Sequence, residues 1–343
     1  MNKPFGIALI GCGMGARPHA KALQDLAGTV SVRGVYARSV DKRAAFAARY
    51  GFPQATSIAA LVADPSVDAA LVVTPPNARA DIVSAFAQAG KHVLSEKPLE
   101  RNLAAARGIV EACETAGVTL GVVFQHRFRM ASRALAARLA QGAFGAVHIV
   151  GVAVPWWREQ SYYDVPGRGS YARDGGGVLI SQAIHTLDLM LSLAGPVAQV
   201  QAICATTPAH RMEAEDFATA GLRFASGAVG HLMASTASYP GDAESIRLDC
   251  DRASVRLKSG VLDIFWRDGR HEQVGEPAAT GGGADPMAFP ADWHRDLIAD
   301  FAAAVRAGRP PGVTGREALG VHRLITAIET SSTEGRAVSM IQE

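Results

Sequence analysis

The sequence contains few cysteines, and none of them forms a recognisable pair. Four cysteines are scattered over 343 residues, namely Cys12, Cys113, Cys204 and Cys250. The lack of any Cys-x-x-Cys motif argues against a disulfide scaffold and against a thiolate zinc site. We therefore expect a reduced, cytoplasmic protein, and we expect no bound metal.

The chain also lacks a large excess of charge of either sign and any long hydrophobic run. The formal net charge is only +2, so no basic field favours a nucleic-acid partner. No apolar run approaches the roughly 18 residues of a membrane span, and the chain enters a strand directly, without the pattern of a signal peptide. Hydrophobic residues make up 48% of the chain, as in ordinary globular proteins, and the length allows two domains.

Residues 1–124 alternate apolar strands with helices. Strands are predicted at 7–10, 30–36, 67–73, 93–95 and 120–124, and helices follow Ala16 and cover 43–50, 80–89 and 104–116. Gly51, Gly90 and Gly117 stand where the last three helices should end, as glycine commonly does. This alternation predicts an α/β fold with a doubly wound parallel sheet, a Rossmann domain over residues 1–124.

Residues 125–343 show a different pattern, in which apolar and polar residues alternate. Strands are predicted at 147–152, 200–205, 217–224, 229–233, 246–248, 254–257 and 262–266, and helices at 131–140, 179–193, 293–307 and 316–330. Segment 280–290 is rich in Gly, Ala and Pro and predicts a mobile loop. The pattern indicates a second α/β domain with an antiparallel or mixed sheet, one face of which is exposed to solvent or covered by a partner.

A glycine-rich turn follows the first strand and opens the first helix. It reads Gly11-Cys12-Gly13-Met14-Gly15-Ala16, which fits the G-x-G-x-x-A fingerprint of a dinucleotide site. Gly11 permits the tight turn, Gly13 lets the backbone approach the pyrophosphate, and Ala16 lets helix and strand pack closely. The alternative is a glycine-rich turn without a ligand.

The end of the second predicted strand indicates which coenzyme is preferred. An acidic residue normally stands there to bind the ribose of NAD, but this chain has Arg38 and Ser39. Without a carboxylate to repel a phosphate, and with an arginine to bind one, NADP is favoured over NAD. The alternative is that Arg38 is a surface arginine.

Three further motifs resemble the glucose-fructose oxidoreductase, inositol dehydrogenase and rhizopine-catabolism (Gfo/Idh/MocA) family over nearly the whole chain. They are Thr74-Pro75-Pro76-Asn77, Gly90 to Pro98 with Glu96-Lys97-Pro98 at its end, and Gly175-Gly176-Gly177-Val178-Leu179 continuing to His185 and Asp188. The resemblance implies a Rossmann domain followed by an α/β domain with a large open sheet. It also implies a homodimer or homotetramer that associates through this sheet.

The same resemblance implies the catalytic groups. Lys97 corresponds to the family's catalytic lysine and His185 to its catalytic histidine, while Thr74, Pro75 and Asn77 lie near the nicotinamide ribose. A histidine can accept the hydroxyl proton near neutral pH, and a lysine ammonium can stabilise an alkoxide. Glu96 would hold Lys97 in place. The structural alternatives are a helix histidine in contact with Asp188 and a surface lysine.

Two positions depart from the family pattern. Ser181 stands where the family often has an aspartate, four residues before the histidine, so we expect activity to depend less on position 181. Arg79 stands where the Thr-Pro segment is expected to carry a histidine. We interpret Arg79 either as a salt-bridged surface group or as an anion contact.

A loop rich in aromatic residues is the candidate substrate region. Trp157, Tyr163, Arg158 and Arg168 lie within a short stretch, and aromatic faces with polar neighbours suit a sugar ring. The arginines could bind a carboxylate or phosphate of a sugar derivative, and the alternative is a well-packed loop. Further candidates for the substrate pocket are Arg127, Ser181, His294 and the catalytic candidate His185.

The sequence predicts an NAD(P)-dependent oxidoreductase that acts on a secondary alcohol or carbonyl of a sugar, polyol or sugar derivative. One alternative is a glycosidase of the same superfamily, which would oxidise its sugar transiently with bound NAD. Another is a non-catalytic regulator that binds NADP. The presence of both Lys97 and His185 argues against the regulator.

Overall fold

The computed structural model describes residues 3–278 and 290–340, which form two compact units. The first unit holds residues 3–125 and 290–319, and the second unit holds residues 126–278 and 320–340. The sequence assigned 290–319 to the second domain. These residues join the first unit because they bury apolar surface there: the Phe301 ring packs edge-on against Phe5 with centroids 6.3 Å apart, and it fills the space beside Gly121.

The first unit is built on a parallel five-stranded sheet. Its strands are β1 (Phe5–Ile10), β2 (Val30–Tyr36), β3 (Ala69–Val72), β4 (His92–Ser95) and β5 (Leu120–Val122). They lie in the order β2-β1-β3-β4-β5, and every pairing is parallel. Strands β1 and β3 are buried along their whole length, as expected of a sheet covered on both faces. The predicted doubly wound sheet is thereby confirmed.

The helices of the first unit begin and end at residues that the sequence marks. They are α1 (Ala16–Asp25), α2 (Val40–Tyr50), α3 (Ile58–Ala63), α4 (Ala80–Gln88), α5 (Leu103–Thr115) and α9 (Asp292–Ala307). Ser39, Ser57 and Asn102 each accept a backbone N–H as the N-cap residue. Gly51, Gly90 and Gly117 have φ angles of 71°, 71° and 68°, which a residue with a Cβ adopts only at a cost.

The second unit is built on a nine-stranded sheet. Its strands are β6 (Val147–Pro155), β7 (Val197–Ala205), β8 (Phe217–Phe224), β9 (Val229–Ser235), β10 (Ser245–Cys250), β11 (Ala253–Lys258), β12 (Val261–Trp266), β13 (His271–Val274) and β14 (Val338–Ser339). The order is β13-β12-β11-β10-β6-β9-β8-β7-β14. Only the β6–β9 pair is parallel among these described strands. The predicted large, mostly antiparallel sheet is confirmed.

Helices α6 (Met130–Ala140), α7 (Gln160–Tyr163) and α8 (Ile184–Ala194) belong to the second unit, and α10 (Gly315–Glu334) follows α9 along the chain. The predicted helix at 179–193 differs in its first turn, because residues Leu179–Ala183 form a π-helical turn. Within residues 3–278 and 290–340, no helix has the length and apolar character needed to cross a bilayer. The loop predicted at 280–290 lies, apart from Pro290, outside the described residues.

Candidate functional site

The glycine-rich turn lies directly after β1. Gly11 has a φ of +113°, and a Cβ at this position would lie 2.8 Å from the backbone of Val73, so the residue must be glycine. Gly13 has open space around its Cα position, which leaves room for a ligand to approach the backbone. Ala16 is fully buried where α1 begins, and a larger side chain would separate the helix from the strand.

The first turn of α1 is suited to an anion. Gly15 is the N-cap residue, and no side chain accepts the first N–H groups of the helix; its first turn also carries no acidic residue. The N–H groups of Ala16 and Arg17 donate to the carbonyl groups of Gly13 and Met14, and the positive dipole end of the helix is the feature that favours an anion here. Met14 is 42% exposed beside it. The turn therefore has the shape and polarity that a coenzyme pyrophosphate requires.

Two basic side chains lie near the end of β2. Arg38 is exposed, and the guanidinium of Arg43 lies 5.6 Å from the ring centroid of Tyr36. The Ser39 hydroxyl accepts the backbone N–H of Lys42 at 3.3 Å, so Ser39 caps α2 in addition to its predicted coenzyme contact. Arg43 was not predicted from the sequence, although it adds positive charge at the same corner.

The Thr-Pro turn follows β3, next to the glycine-rich turn in the sheet. Pro76–Ala78 form a short 3-10 turn after Thr74 and Pro75, and Asn77 lies within it. The Thr74 hydroxyl is buried and has no hydrogen-bond partner among the described residues. A buried polar atom without a partner costs free energy, so this hydroxyl is suited to a ligand.

Glu96 and Lys97 follow β4, and the carboxylate of Glu96 is held on both sides. Its Oε1 lies 2.7 Å from Nε2 of His19, and its Oε2 accepts the backbone N–H of Lys97 at 2.9 Å. Burial would raise the pKa of Glu96, but the His19 hydrogen bond and the positive charge of Lys97 outweigh it and lower the pKa to about 2. Glu96 is therefore ionised at every pH at which the protein is expected to work.

His294 completes this cluster. Its ring packs edge-on against His19 with centroids 4.7 Å apart, and burial lowers the pKa of His294 to about 3. Within the described ranges, His19, Glu96 and His294 are the one group whose donor atoms could hold a metal, all lying within 4.8 Å of one another. Two ligands of a tetrahedral zinc ion lie about 3.3 Å apart, so the 2.7 Å separation of His19 and Glu96 is that of a hydrogen bond.

Arg79 is neither a surface group nor an anion contact, which corrects both interpretations from the sequence. The residue is 3% exposed, and its guanidinium donates to the backbone carbonyl groups of Thr74, Glu96, Lys97 and Pro98. Burial lowers the pKa of Arg79 to about 10, with Glu96 and Glu100 opposing the effect. The side chain remains a cation at neutral pH.

The second unit carries the Gly175-Gly176-Gly177 turn ahead of the helical segment that contains His185. A Cβ on Gly177 would lie 1.8 Å from the carbonyl oxygen of Glu215, so only glycine fits. The Glu215 carboxylate accepts the N–H groups of Gly177 and Leu179 at 3.1 Å and 3.0 Å. This carboxylate fixes the start of the helical segment, and with it the direction in which the π-helical turn and α8 run.

A second buried carboxyl lies beside the same turn and gives folding stability a pH dependence. Desolvation, with the charge of Glu215, raises the pKa of Glu329 from 4.5 to about 7. Across this range the folded state binds more protons than the unfolded state, so the free energy of unfolding falls as the pH rises. The pKa shift corresponds to roughly 3 kcal/mol. Glu329→Gln should therefore raise the melting temperature by several degrees above pH 7 and should leave it little changed below pH 4.5.

Thermal unfolding at both pH values, with Glu334→Gln as the control, checks this expectation. Glu334 is on the same helix but is 42% exposed and paired with Arg336, so its replacement should show no such pH dependence. Equal pH dependence in Glu329→Gln and the wild-type protein would contradict the account.

His185 is 8% exposed and lies on the first turn of α8. Its ring stacks on that of His126, with centroids 4.9 Å apart. Nε2 of His126 lies 2.5 Å from Nη2 of Arg129, and Arg129 donates to Glu244 at 2.6 Å. Because a guanidinium only donates, Nε2 of His126 is an acceptor. The ring under His185 is therefore held in place by Arg129.

Arg127 and Asp188 form a buried pair on the same side of α8. Nε and Nη2 of Arg127 each donate to one carboxylate oxygen at 2.7 Å. Asp188 is fully buried, so this bidentate pair neutralises a carboxylate one helical turn from His185. Ser181 lies in the π-helical turn, and its N–H donates to the carbonyl of Gly177. Short π-helical segments inside α-helices are frequent at functional sites.

The aromatic loop packs on a buried histidine that the sequence reasoning missed. His210 lies between Asp216 at 2.8 Å and the carbonyl of Arg158 at 2.8 Å, and both Tyr163 and Trp157 contact its ring. The Tyr163 hydroxyl is hydrogen bonded to Thr236 at 2.6 Å. The Arg168 guanidinium lies 4.1 Å from the ring centroid of Tyr162. Packing thus accounts for Tyr163, while Trp157 and Arg168 are only partly buried.

Comparisons with known proteins find relatives over nearly the whole chain. Residues 5–124 match the oxidoreductase family with an NAD-binding Rossmann fold, and residues 132–256 match the GFO/IDH/MocA C-terminal domain. A D-apiose dehydrogenase of Paraburkholderia graminis is 30% identical, over 98% of this chain and 90% of its own. A D-xylose 1-dehydrogenase (NADP(+)) of Haloferax volcanii is 30% identical over 98% and 99%.

A solved structure also matches the whole chain. The WlbA dehydrogenase of Bordetella pertussis, in complex with NADH and UDP-GlcNAcA, has a TM-score of 0.85 and 29% identity over 100% of this chain and 99% of its own. The family matches together cover more than half of the residues. This chain belongs to the GFO/IDH/MocA family of NAD(P)-dependent oxidoreductases.

Proposed function

We propose that this protein transfers hydride between NADP and a secondary alcohol or carbonyl of a sugar, polyol or sugar derivative. The observation that carries the proposal is the carboxyl edge of the five-stranded sheet. Three adjacent strands end there in the glycine-rich turn, the Thr74 turn and Lys97. Ligands of doubly wound sheets bind beyond the carboxyl ends of the strands, so this edge brings phosphate-binding backbone and an ammonium to one ligand.

We assign each part of the coenzyme to residues of the first unit that have the polarity to bind it. Backbone N–H groups of the glycine-rich turn donate hydrogen bonds to the pyrophosphate, the Thr74 hydroxyl and Asn77 bind near the nicotinamide ribose, and Arg38 with Ser39 binds the ribose phosphate. When bound, the coenzyme supplies the hydride acceptor. A buried hydroxyl without a protein partner supports this assignment for Thr74.

The protein groups then handle the proton and the developing charge. In the oxidation, His185 accepts the proton of the substrate hydroxyl, while the hydride leaves the carbon for the coenzyme. The ammonium of Lys97 donates a hydrogen bond to the oxygen on which negative charge develops. Glu96, ionised and bonded to the Lys97 backbone, keeps a negative charge beside the ammonium and favours its charged form. In the reduction the same groups act in reverse.

Substrate contacts come from the second unit. Trp157 and Arg168 are partly exposed, which leaves an aromatic face and a cation for a sugar ring or an acidic sugar derivative. Tyr163, Arg127 and Ser181 remain lower-ranked candidates. Relatives named for D-apiose and D-xylose, and a solved complex with UDP-GlcNAcA, support this class of substrate.

Coenzyme preference can be tested at Arg38. Arg38→Ala should raise the dissociation constant of NADPH by about 10- to 150-fold, because a charge-assisted hydrogen bond contributes roughly 1.5–3 kcal/mol, and should leave NADH binding nearly unchanged. Fluorescence titration with both coenzymes measures the effect. Arg49→Ala, which removes another exposed arginine from the far end of α2, is the matched control. An equal loss for both coenzymes would contradict the phosphate contact.

We also propose assembly through the nine-stranded sheet and a cytoplasmic location. The strands of this sheet expose large apolar side chains at Ile149, Ile203, Val229 and Phe265. If further copies of the chain cover these side chains, a homodimer or homotetramer results. The four cysteines are all free thiols, as is usual in a reducing compartment.

A panel of sugars and polyols tests the proposed reaction. D-xylose, D-apiose, myo-inositol and UDP-GlcNAcA would be offered with each oxidised coenzyme, and formation of the reduced coenzyme would be followed by absorbance. Turnover of any of them supports the dehydrogenase. Release of the sugar from UDP-GlcNAcA, the one compound of the panel with an anomeric leaving group, without net reduction of the coenzyme would favour the NAD-dependent glycosidase. Coenzyme binding without any reaction would favour the regulator.

A further inference from the structure

Arg79 uses its complete set of donors on backbone carbonyl groups. Nε and Nη2 donate to the carbonyl of Thr74 at 2.9 Å and 2.7 Å. Nη2 also donates to Lys97 at 3.3 Å, and Nη1 donates to Glu96 and Pro98. An arginine has five N–H donors and no acceptor, so these five contacts leave no donor for an anion or a carboxylate.

The carbonyl groups that Arg79 binds lie where the sheet hydrogen bonding stops. The last bond from β3 to the β4 segment runs from the N–H of Glu96 to the carbonyl of Val72 at 2.9 Å. Beyond it, the Thr74 turn and residues 96–98 leave the sheet. Their carbonyl groups, which are buried or partly buried, still need donors, and the planar guanidinium supplies them in a fixed geometry.

Two functional segments are therefore joined by one side chain. The first is the Thr74 turn, which we assign to the coenzyme, and the second is residues 96–98, which carry Lys97. The Glu96 carboxylate also binds the Lys97 backbone, because it accepts a hydrogen bond from the N–H of Lys97. The Lys97 peptide is thus fixed at its N–H by Glu96 and at its carbonyl by Arg79.

We propose that Arg79 is a positioning residue that couples the coenzyme-binding turn to Lys97. It fixes the Lys97 backbone relative to the Thr74 turn, so that binding of the coenzyme to this turn also orders the lysine. The inference rests on the proposed function in taking Lys97 as the polarising group. Arg79 itself touches neither substrate nor coenzyme.

The test compares Arg79→Gln with Lys91→Gln. Lys91 is a matched control because it is also a buried cation of the first unit, whose Nζ donates to the carbonyl groups of Asp64 and Val67, both at 2.7 Å. It lies before β4, at the opposite end of the strand from Lys97. Both variants should lower the melting temperature. Only Arg79→Gln should also lower kcat, by about 10²-fold, the size expected of a misplacement near 1 Å, with the KM of the sugar little changed.

Hydrogen–deuterium exchange provides a readout that does not depend on turnover. In the wild-type protein, NADPH should slow exchange in peptides covering both 73–78 and 95–101. In Arg79→Gln, protection should remain at 73–78 and be lost at 95–101. Arg79→Lys keeps the charge with fewer donors, so its protection at 95–101 should be intermediate between those of the wild-type protein and Arg79→Gln. It also provides a folded variant if Arg79→Gln does not fold.

The outcomes separate this inference from the proposed function. Unchanged kcat in Arg79→Gln, or coenzyme protection of 95–101 that persists in it, would overturn the positioning role. Full activity of a Lys97 variant would instead overturn the proposed catalytic role of Lys97, while the exchange data would still decide whether Arg79 couples the two segments.

Discussion

Replacing Lys97 by methionine should lower kcat by about 10²–10³-fold, the usual effect of removing one donor that stabilises a developing oxyanion. Methionine keeps much of the length of the side chain but cannot donate a hydrogen bond or carry charge. The Glu96 contact to the Lys97 backbone does not need the ammonium, so the fold should be retained. Steady-state kinetics and fluorescence titration with NADPH should show lost turnover and preserved coenzyme binding.

Lys91→Met is the control for the loss of a lysine in the same unit. It removes two buried carbonyl contacts and should destabilise the protein without reducing kcat. If Lys97→Met retained wild-type kcat, Lys97 would be a structural lysine and the polarising role would be wrong.

His185→Asn is expected to lower kcat by about 10²–10⁴-fold, which is the range for a lost general acid or base. Asparagine can still donate a hydrogen bond, but it cannot accept the hydroxyl proton. The pH dependence of kcat near neutrality should also weaken, because imidazole is the side chain that exchanges a proton in this range. A packing defect against the stacked His126 ring would leave this pH dependence in place, whereas loss of the base would weaken it. The pH profile therefore distinguishes the two causes.

His148→Asn serves as the matched histidine variant of the second unit. His148 is 54% exposed and paired with Asp251 on the surface, so its replacement should leave both kcat and its pH profile unchanged. A His185→Asn enzyme with full kcat and an unaltered profile would contradict the acid–base assignment.

Local signals in the sequence were sufficient to predict much of the fold. The end of a helix at a glycine and a strand made of an apolar run both depend on only a few neighbouring residues. The structure confirms Gly51, Gly90 and Gly117 as helix ends. The strand His271–Val274 was missed because it is partly exposed throughout and lacks an apolar alternation. The short helix Ile58–Ala63 and the terminal strand Val338–Ser339 were missed as well.

The candidate site was predictable where one segment carries the chemistry, and not where distant segments meet. Gly11, Thr74 and Lys97 lie within motifs that can be recognised locally. The ionised state of Glu96 depends on His19, which is 77 residues away. His19 in turn packs against His294, which lies in a helix that returns to the first unit from the other end of the chain. Nothing beside Arg79 in the sequence indicates that its guanidinium is buried among carbonyl groups.

Single-turnover reduction of the bound coenzyme tests the central claim most directly. Protein saturated with NADP+ would be mixed with each sugar or polyol of the panel, and the nicotinamide absorbance would be followed in the wild-type protein and in Lys97→Met. The account predicts that at least one compound produces NADPH in an amount equal to the enzyme, and that Lys97→Met produces it far more slowly. Absence of coenzyme binding, or equal rates in the two proteins, would contradict it.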